Sequence, residues 1–308
     1  GQIAAAHGMR APHRKLLDRI LQMLEEDGAC NRQLAGRWVW AEDDTRPRPP
    51  TIDELLQRSP ACSAELDLLR RCGENLSAAL RGDVTALELL FPDGSMRLAE
   101  ALYQDSPFAR YYNGMLQSAV RRIAAAAPGR VLRVLEIGAG TGGTTSYALP
   151  ALAGAEMHYV YSDVSRLFLA MAEKKFRGYA GIEYELLDIE LAPGAQGFES
   201  ASFDLIIAAN VLHATADIGQ ALEHVRWLLC PHGALVLLEG TGRQRATDLI
   251  FGLTDGWWRF QDERVQSGYP LLSRARWLEL LRSRGFADAA VLTEPDEATS
   301  WCEQLVIA

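Results

Sequence analysis

Lysine is nearly absent from these 308 residues: it occurs only at Lys15, Lys174 and Lys175, and arginine carries the remaining positive charge. The net charge is −9 and there is no basic block, which argues against a sequence-independent grip on nucleic acid. Cysteine is scarce as well. Cys30, Cys62, Cys72, Cys230 and Cys302 are scattered, odd in number and never spaced C-x-x-C. That pattern fits free thiols in a reducing compartment and argues against a disulfide framework or structural zinc. The six histidines form no H-x-x-x-H pair, so no metal site is expected. No apolar run reaches the ~18 residues of a membrane span. Gly1 to Met9 lacks the apolar core of a signal peptide and reads as a linker. The expectation is a soluble, cytoplasmic protein with no membrane partner. Abundant arginine and alanine beside so little lysine suggest a GC-rich, bacterial genome.

What the chain does have is a strand running into glycine. Val131, Leu132, Val134, Leu135 and Ile137 make the apolar run of a buried parallel strand. The run breaks into Gly138, Gly140, Gly142 and Gly143, and a helix-compatible stretch begins near Thr144 or Thr145. Such a turn lets backbone approach a ligand closely, and the helix start offers unpaired N–H groups. Gly138, Gly140 and Gly143 satisfy G-x-G-x-x-G, the nicotinamide-cofactor fingerprint, with Asp163 at about the distance expected for a ribose partner. Any nucleoside-binding α/β fold can share that spacing. Glu136 redirects the reading, because Glu136-x-Gly138-x-Gly140 resembles the first motif of class I S-adenosylmethionine (SAM) methyltransferases.

The chain before this turn is mainly helical. Leu17, Ile20, Leu21 and Leu24 share one face of a helix over 14–26, and Trp38-Val39-Trp40 is a short extended stretch. Arg46 to Pro50 is a proline-rich break, after which Thr51 reads as an N-cap. Ser106-Pro107 opens a longer helix to about Ala127, and Pro128-Gly129 closes this front region. After the glycines, strands and helices alternate. Strands are predicted at 157–161, 182–187, 203–209 and 234–238, with helices at 166–176 and 218–229 between them. This predicts a doubly wound, mainly parallel sheet. A segment near 240–272 containing Gly256-Trp257-Trp258 interrupts the alternation. A helix over 273–284 and strands at 289–293 and 303–307 follow, the last two implying an antiparallel C-terminal edge. The division expected is a helical lid domain over 1–128 and a methyltransferase core over 129–308.

Ligands of open α/β sheets bind beyond the carboxyl ends of the strands. Glu136, Asp163, Asp188, His213 and Glu239 all fall at such ends. Asp163 suits a ribose diol, and Asp188, between Leu187 and Ile189, suits an adenine amino group flanked by apolar walls. Alternatively, both aspartates are loop or N-cap residues. An imidazole can take a proton from an acidic carbon or hydroxyl, which makes His213 a candidate base, with Glu239 on its other ring nitrogen fixing the tautomer.

Several stretches resemble the C-methyltransferase domains of modular and iterative polyketide synthases. They include Val134-Leu-Glu-Ile-Gly-Ala-Gly-Thr-Gly-Gly-Thr, Tyr161-Ser-Asp-Val-Ser, Asn210-Val-Leu-His-Ala-Thr and Leu237-Leu-Glu. Phe251-Gly-Leu-Thr-Asp-Gly-Trp-Trp, Pro270-Leu-Leu-Ser, Leu89-Leu-Phe-Pro-Asp-Gly-Ser and Tyr103-Gln-Asp-Ser-Pro-Phe-Ala-Arg match as well. The resemblance spans about Leu68 to Phe286 and implies a class I methyltransferase (Rossmann-like) fold. It implies SAM as cofactor, with S-adenosylhomocysteine (SAH) as product, held by Glu136, Gly138, Gly140, Asp163, Val164, Leu187, Asp188, Ile189 and Asn210. It further implies a β-ketoacyl thioester on an acyl carrier protein as substrate, other synthase domains as partners, and a His213–Glu239 dyad that removes the α-proton. Tyr111, Tyr112, Trp257 and Trp258 are candidates to line the acyl cavity or are plain core aromatics.

Two further readings stay open. An O-methyltransferase acting on a β-hydroxy or enol oxygen would use the same cofactor site. A non-catalytic methyltransferase domain is the other, although Glu136, the glycines, His213 and Glu239 are all retained. A ketoreductase would need Tyr-x-x-x-Lys, which no lysine here provides, and there is no G-x-S-x-G elbow for acyl transfer.

Overall fold

The computed structural model describes residues 7–33, 37–41, 48–292 and 306–307. Gly1 to Ala6 of the expected linker, Arg46 and Pro47 of the break, Thr293, Cys302 and Glu303 to Leu305 lie outside the described residues. The chain divides into two units, residues 1–99 with 243–258 and residues 100–242 with 259–308.

In the first unit the helix Arg14–Glu26 buries Leu16, Leu21 and Met23; of the predicted face only Leu21 is buried, and Leu17, Ile20 and Leu24 are half-buried. Arg19 on that helix is also buried. Its Nε donates to Asp248 Oδ2 at 2.9 Å, joining the helix to Arg245–Phe251 far along the chain. Thr51 caps the helix Ile52–Arg58 in a reciprocal box with Glu54. Strands β1 (Cys30–Arg32) and β2 (Trp38–Trp40) pair antiparallel. The second was predicted as extended. The first, Cys-Asn-Arg, has no alternation to reveal it.

The second unit is built on a seven-stranded sheet of order β5-β4-β3-β6-β7-β9-β8. Its strands are β3 (Leu132–Ile137), β4 (Met157–Asp163), β5 (Ile182–Leu186), β6 (Phe203–Ala209), β7 (Leu229–Leu238), β8 (Ala290–Val291) and β9 (Val306–Ile307). Strands β3 to β7 are mutually parallel, and the order reverses at β3. Side-chain alternation sends Leu135, Ile137, Ile206 and Leu235 to one face, against the helices Ile218–Leu228 and Arg274–Ser283. Val134, Leu205, Ile207 and Val236 go to the other face with Leu116, Val120, Leu149 and Phe176. The helix Pro107–Ala125 therefore packs on the sheet. Sequence grouped it with the front region and drew a boundary after 128, whereas the two units part between residues 99 and 100.

Strand β7 starts earlier than predicted. Leu229 pairs with Phe203 and Ala234 with Leu205, so the expected turn Pro231-His232-Gly233 is an irregularity within the strand, with His232 at φ 63°. The C-terminal pair is antiparallel as predicted, and β9 lies inside the sheet between β7 and β8. Among the described residues, no helix is long and apolar enough to cross a membrane.

Candidate functional site

Glu136 is the penultimate residue of β3, its carboxylate enclosed and the residue 1% exposed. Tyr159 and Thr145 hydroxyls both donate to its Oε2, at 2.5 and 2.6 Å. Burial pushes this carboxyl up to about 7, against the pull of the two hydroxyls. The acid thus lies beneath the glycine turn and joins it to the first turn of the helix Thr145–Ala151. In the turn itself, Gly138 takes φ +60°, and a Cβ there would stand 2.3 Å from Val211 Cγ2. Only glycine fits, and this contact brings the β3 turn against the loop after β6. Gly140 takes φ +58°, but a Cβ there would meet only Gly138 O, at 3.8 Å, so its backbone borders open space.

Asp163 ends β4 and is also buried. Its Oδ2 accepts the Gly140 N–H at 2.9 Å and its Oδ1 the Ser165 N–H at 2.8 Å. Desolvation raises its pKa, while these backbone amides oppose the shift. Val164 beside it is 68% exposed. Leu187 and Ile189 are buried in the core cluster of Leu135 and Ile137. Asp188, between them, is half-buried; its Oδ1 accepts the Glu190 N–H at 3.0 Å, and Gln196 brackets its backbone. Asn210 is exposed at φ 53°, a left-handed conformation asparagine tolerates, and its N–H donates to Leu238 O at 2.6 Å.

The loop after β6 carries the best-defined constellation. His213 sits in the 3₁₀ turn Leu212–Ala214, and its Nδ1 lies 2.6 Å from Oε2 of Glu239, the residue after β7. Glu239 is 2% exposed. Its other oxygen accepts the N–H groups of Val211, Leu212 and His213 at 3.1, 2.7 and 3.3 Å. Three converging amides and one imidazole thus hold a carboxylate in the protein interior, which is how a buried charge is kept.

Tyr111 and Tyr112 meet edge to face at 5.0 Å in the second unit, where Tyr112 is buried beside Leu116 and Val120. Trp257 and Trp258 belong to the first unit, both buried, and Trp258 Nε1 donates to Gly252 O at 2.9 Å. Sequence reasoning overlooked Thr145 and Tyr159 under Glu136, although Tyr159 and Tyr161 share the period-two face that could have signalled them. It also overlooked Lys175, whose Nζ donates to Thr141 O at 3.0 Å and Gln104 Oε1 at 2.8 Å. Arg264 gave no signal at all, standing in a segment without periodicity.

Residues 135–235 match a family model described as a methyltransferase domain. Polyketide synthase ThaQ of Burkholderia thailandensis is 39% identical over 99% of this chain, and the match spans 15% of that much longer protein. The solved structure of the CurJ carbon methyltransferase is 41% identical with a TM-score of 0.90, over 97% of this chain and 80% of that one. That of the trans-methyltransferase CalH, in complex with SAH, is 31% identical with a TM-score of 0.69, over 83% of this chain and 70% of that one. With the parallel sheet, the glycine turn at its switch point and these likenesses taken together, the chain belongs to the carbon-methyltransferase domains of polyketide synthases, within the class I SAM-dependent methyltransferases.

Proposed function

We propose that the chain methylates the α-carbon of a β-ketoacyl thioester carried on an acyl carrier protein, with His213 as general base and Glu239 as its support. The observation that carries this reading is the 2.6 Å pairing of His213 Nδ1 with a buried carboxylate at the ends of adjacent strands β6 and β7. Residues near the glycine turn suit SAM: the open backbone of Gly140 and the acid Asp163 hydrogen-bonded to it form a cradle that side chains would fill. Glu136, Gly138, Gly140, Asp163, Val164, Leu187, Asp188, Ile189 and Asn210 are the proposed holders. Of these, Glu136, Leu187 and Ile189 act from beneath, as buried supports. When bound, SAM supplies an electrophilic methyl group on sulfur.

The chain's own part is proton transfer. Nδ1–H donated to Glu239 leaves Nε2 to take the α-proton, and Glu239 stabilises the imidazolium that forms. A carbon between two carbonyls is acidic enough for an imidazole base, and its enolate is the nucleophile. Other synthase domains would supply the loaded carrier protein, and Tyr111 and Tyr112, in the same unit as the dyad, are proposed acyl contacts. Intact-mass analysis with SAM and acetoacetyl-, 3-hydroxybutyryl- or malonyl-loaded carrier protein tests the reading. One added methyl at the α-carbon of the β-keto substrate is expected. Methylation at oxygen, or of the hydroxy substrate alone, would overturn it in favour of O-methylation.

A further inference from the structure

Arg264 is 1% exposed and forms no part of the cofactor cradle or the dyad. Its guanidinium uses every donor it has. Nε donates to Asp262 Oδ1 at 2.7 Å; one terminal nitrogen donates to His213 O at 2.6 Å and Pro270 O at 3.3 Å. The other donates to Thr215 O at 2.7 Å and Ala216 O at 3.3 Å. The Phe260 ring stacks on it, centroid 5.4 Å from Cζ. The surrounding segment repeats the pattern. Gln261 N–H donates to Ala216 O, and Asp262 Oδ2 accepts the Ile218 N–H at 3.0 Å. Hydrogen bonds to a buried cation are directional and strong, so three carbonyls in four residues are fixed at once.

His213 is thereby held at three points. Glu239 takes its ring Nδ1 and its backbone N–H, and Arg264 takes its carbonyl. We propose that Arg264 is a positioning residue for His213, setting the backbone from which the imidazole meets Glu239. The proposal rests on His213 being the base, as argued above.

The test compares Arg264→Met, Arg264→Lys and His213→Ala with the double variant Arg264→Met/His213→Ala. Methyl transfer to acetoacetyl-loaded carrier protein is followed by intact mass, and SAH binding by calorimetry. Arg264→Met should lower kcat ~10²-fold, the scale of a misplaced catalytic group. KM for the carrier and Kd for SAH should stay within about threefold. Arg264→Lys should recover part of kcat, since it keeps the charge but not the fork. On the His213→Ala background, Arg264→Met should cost less than about threefold, because the two act as one unit. Asp262→Asn removes the charge facing Nε and sets an NH₂ group against either the Ile218 N–H or the Arg264 donors; it should show the same pattern in smaller measure and decides the matter if Arg264→Met does not fold. An inactive His213→Ala beside an unimpaired Arg264→Met overturns the positioning role. So does an equal loss on both backgrounds, or a loss of SAH affinity in step with kcat. A fully active His213→Ala overturns the general-base reading instead.

Discussion

Glu239→Gln isolates charge and tautomer from shape. The glutamine oxygen must stay where Oε1 is, since the amides of Val211, Leu212 and His213 all point there and an NH₂ group would face three donors. The new NH₂ then faces His213 Nδ1, 2.6 Å away in the native pair. It donates where Glu239 accepted, so the neutral imidazole carries its proton on Nε2 and cannot take another there. Loss of the carboxylate also removes the charge that stabilises the imidazolium. A wrong-tautomer histidine of this kind costs ~10⁴ in kcat in a triad enzyme. We expect a loss of ~10³ to 10⁴, equal to about 4 to 5.5 kcal/mol of barrier. Single-turnover methyl transfer measures it, with SAH affinity expected within about twofold of the parent. Glu239→Ala makes the contrast. It strands those amides in a buried site at about 1–3 kcal/mol each and should destabilise the fold as well. Retention of more than a tenth of kcat in Glu239→Gln would refute the reasoning.

His213→Ala should keep SAH binding and lose methyl transfer by ~10² to 10⁴, read by intact mass; near-normal turnover would remove the general-base role. Glu136 binds its proton more tightly folded than unfolded, so its contribution to stability falls as pH rises from about 4.5 to about 7 and then levels off. Glu136→Gln, which can still accept the Tyr159 and Thr145 hydroxyls, should flatten that slope. Its relative gain at pH 8 should be up to about 3 kcal/mol by denaturant titration, and parallel pH curves would sink the idea. Gly138→Ala should cost at least about 2 kcal/mol, because its Cβ enters Val211 and its φ is +60°. Adding Val211→Ala should restore the steric part alone, leaving a deficit of about 1 kcal/mol in thermal unfolding.

The sheet was legible because β3, β4 and β6 are apolar runs buried on both faces, each ending at a glycine or polar residue that marks the carboxyl edge. The His213–Glu239 pair followed from their places after β6 and β7, adjacent parallel strands whose ends must lie side by side. Which side chains bond to Glu136 was not legible. That depends on Tyr159 crossing from the neighbouring strand and Thr145 from the following helix, contacts set by register and not by local pattern. Leu187 and Ile189 were expected to flank a ligand, yet their apolar character is satisfied by the core, a choice composition cannot distinguish. The early start of β7 was hidden by Pro231 and Gly233, residues that ordinarily mark a turn. Arg264 was invisible for a deeper reason: apart from Asp262, its side-chain hydrogen-bond partners are backbone carbonyls, and these carry no sequence signature.

The placement of β9 sets an order of events for a chain emerging from the ribosome. Strands β3 to β7 and their helices can pair as they appear, since each parallel neighbour is already available. Strand β8 cannot dock in the same way. Among the described residues it reaches the sheet through Val306 and Ile307, which are made after it and must slide between it and β7. Until then the β7 edge carries unpaired backbone groups, the kind of edge that recruits a strand from a neighbouring nascent chain. Completion of this sheet is thus timed by synthesis of residues 306–307, whose release from the exit tunnel is the step that closes it.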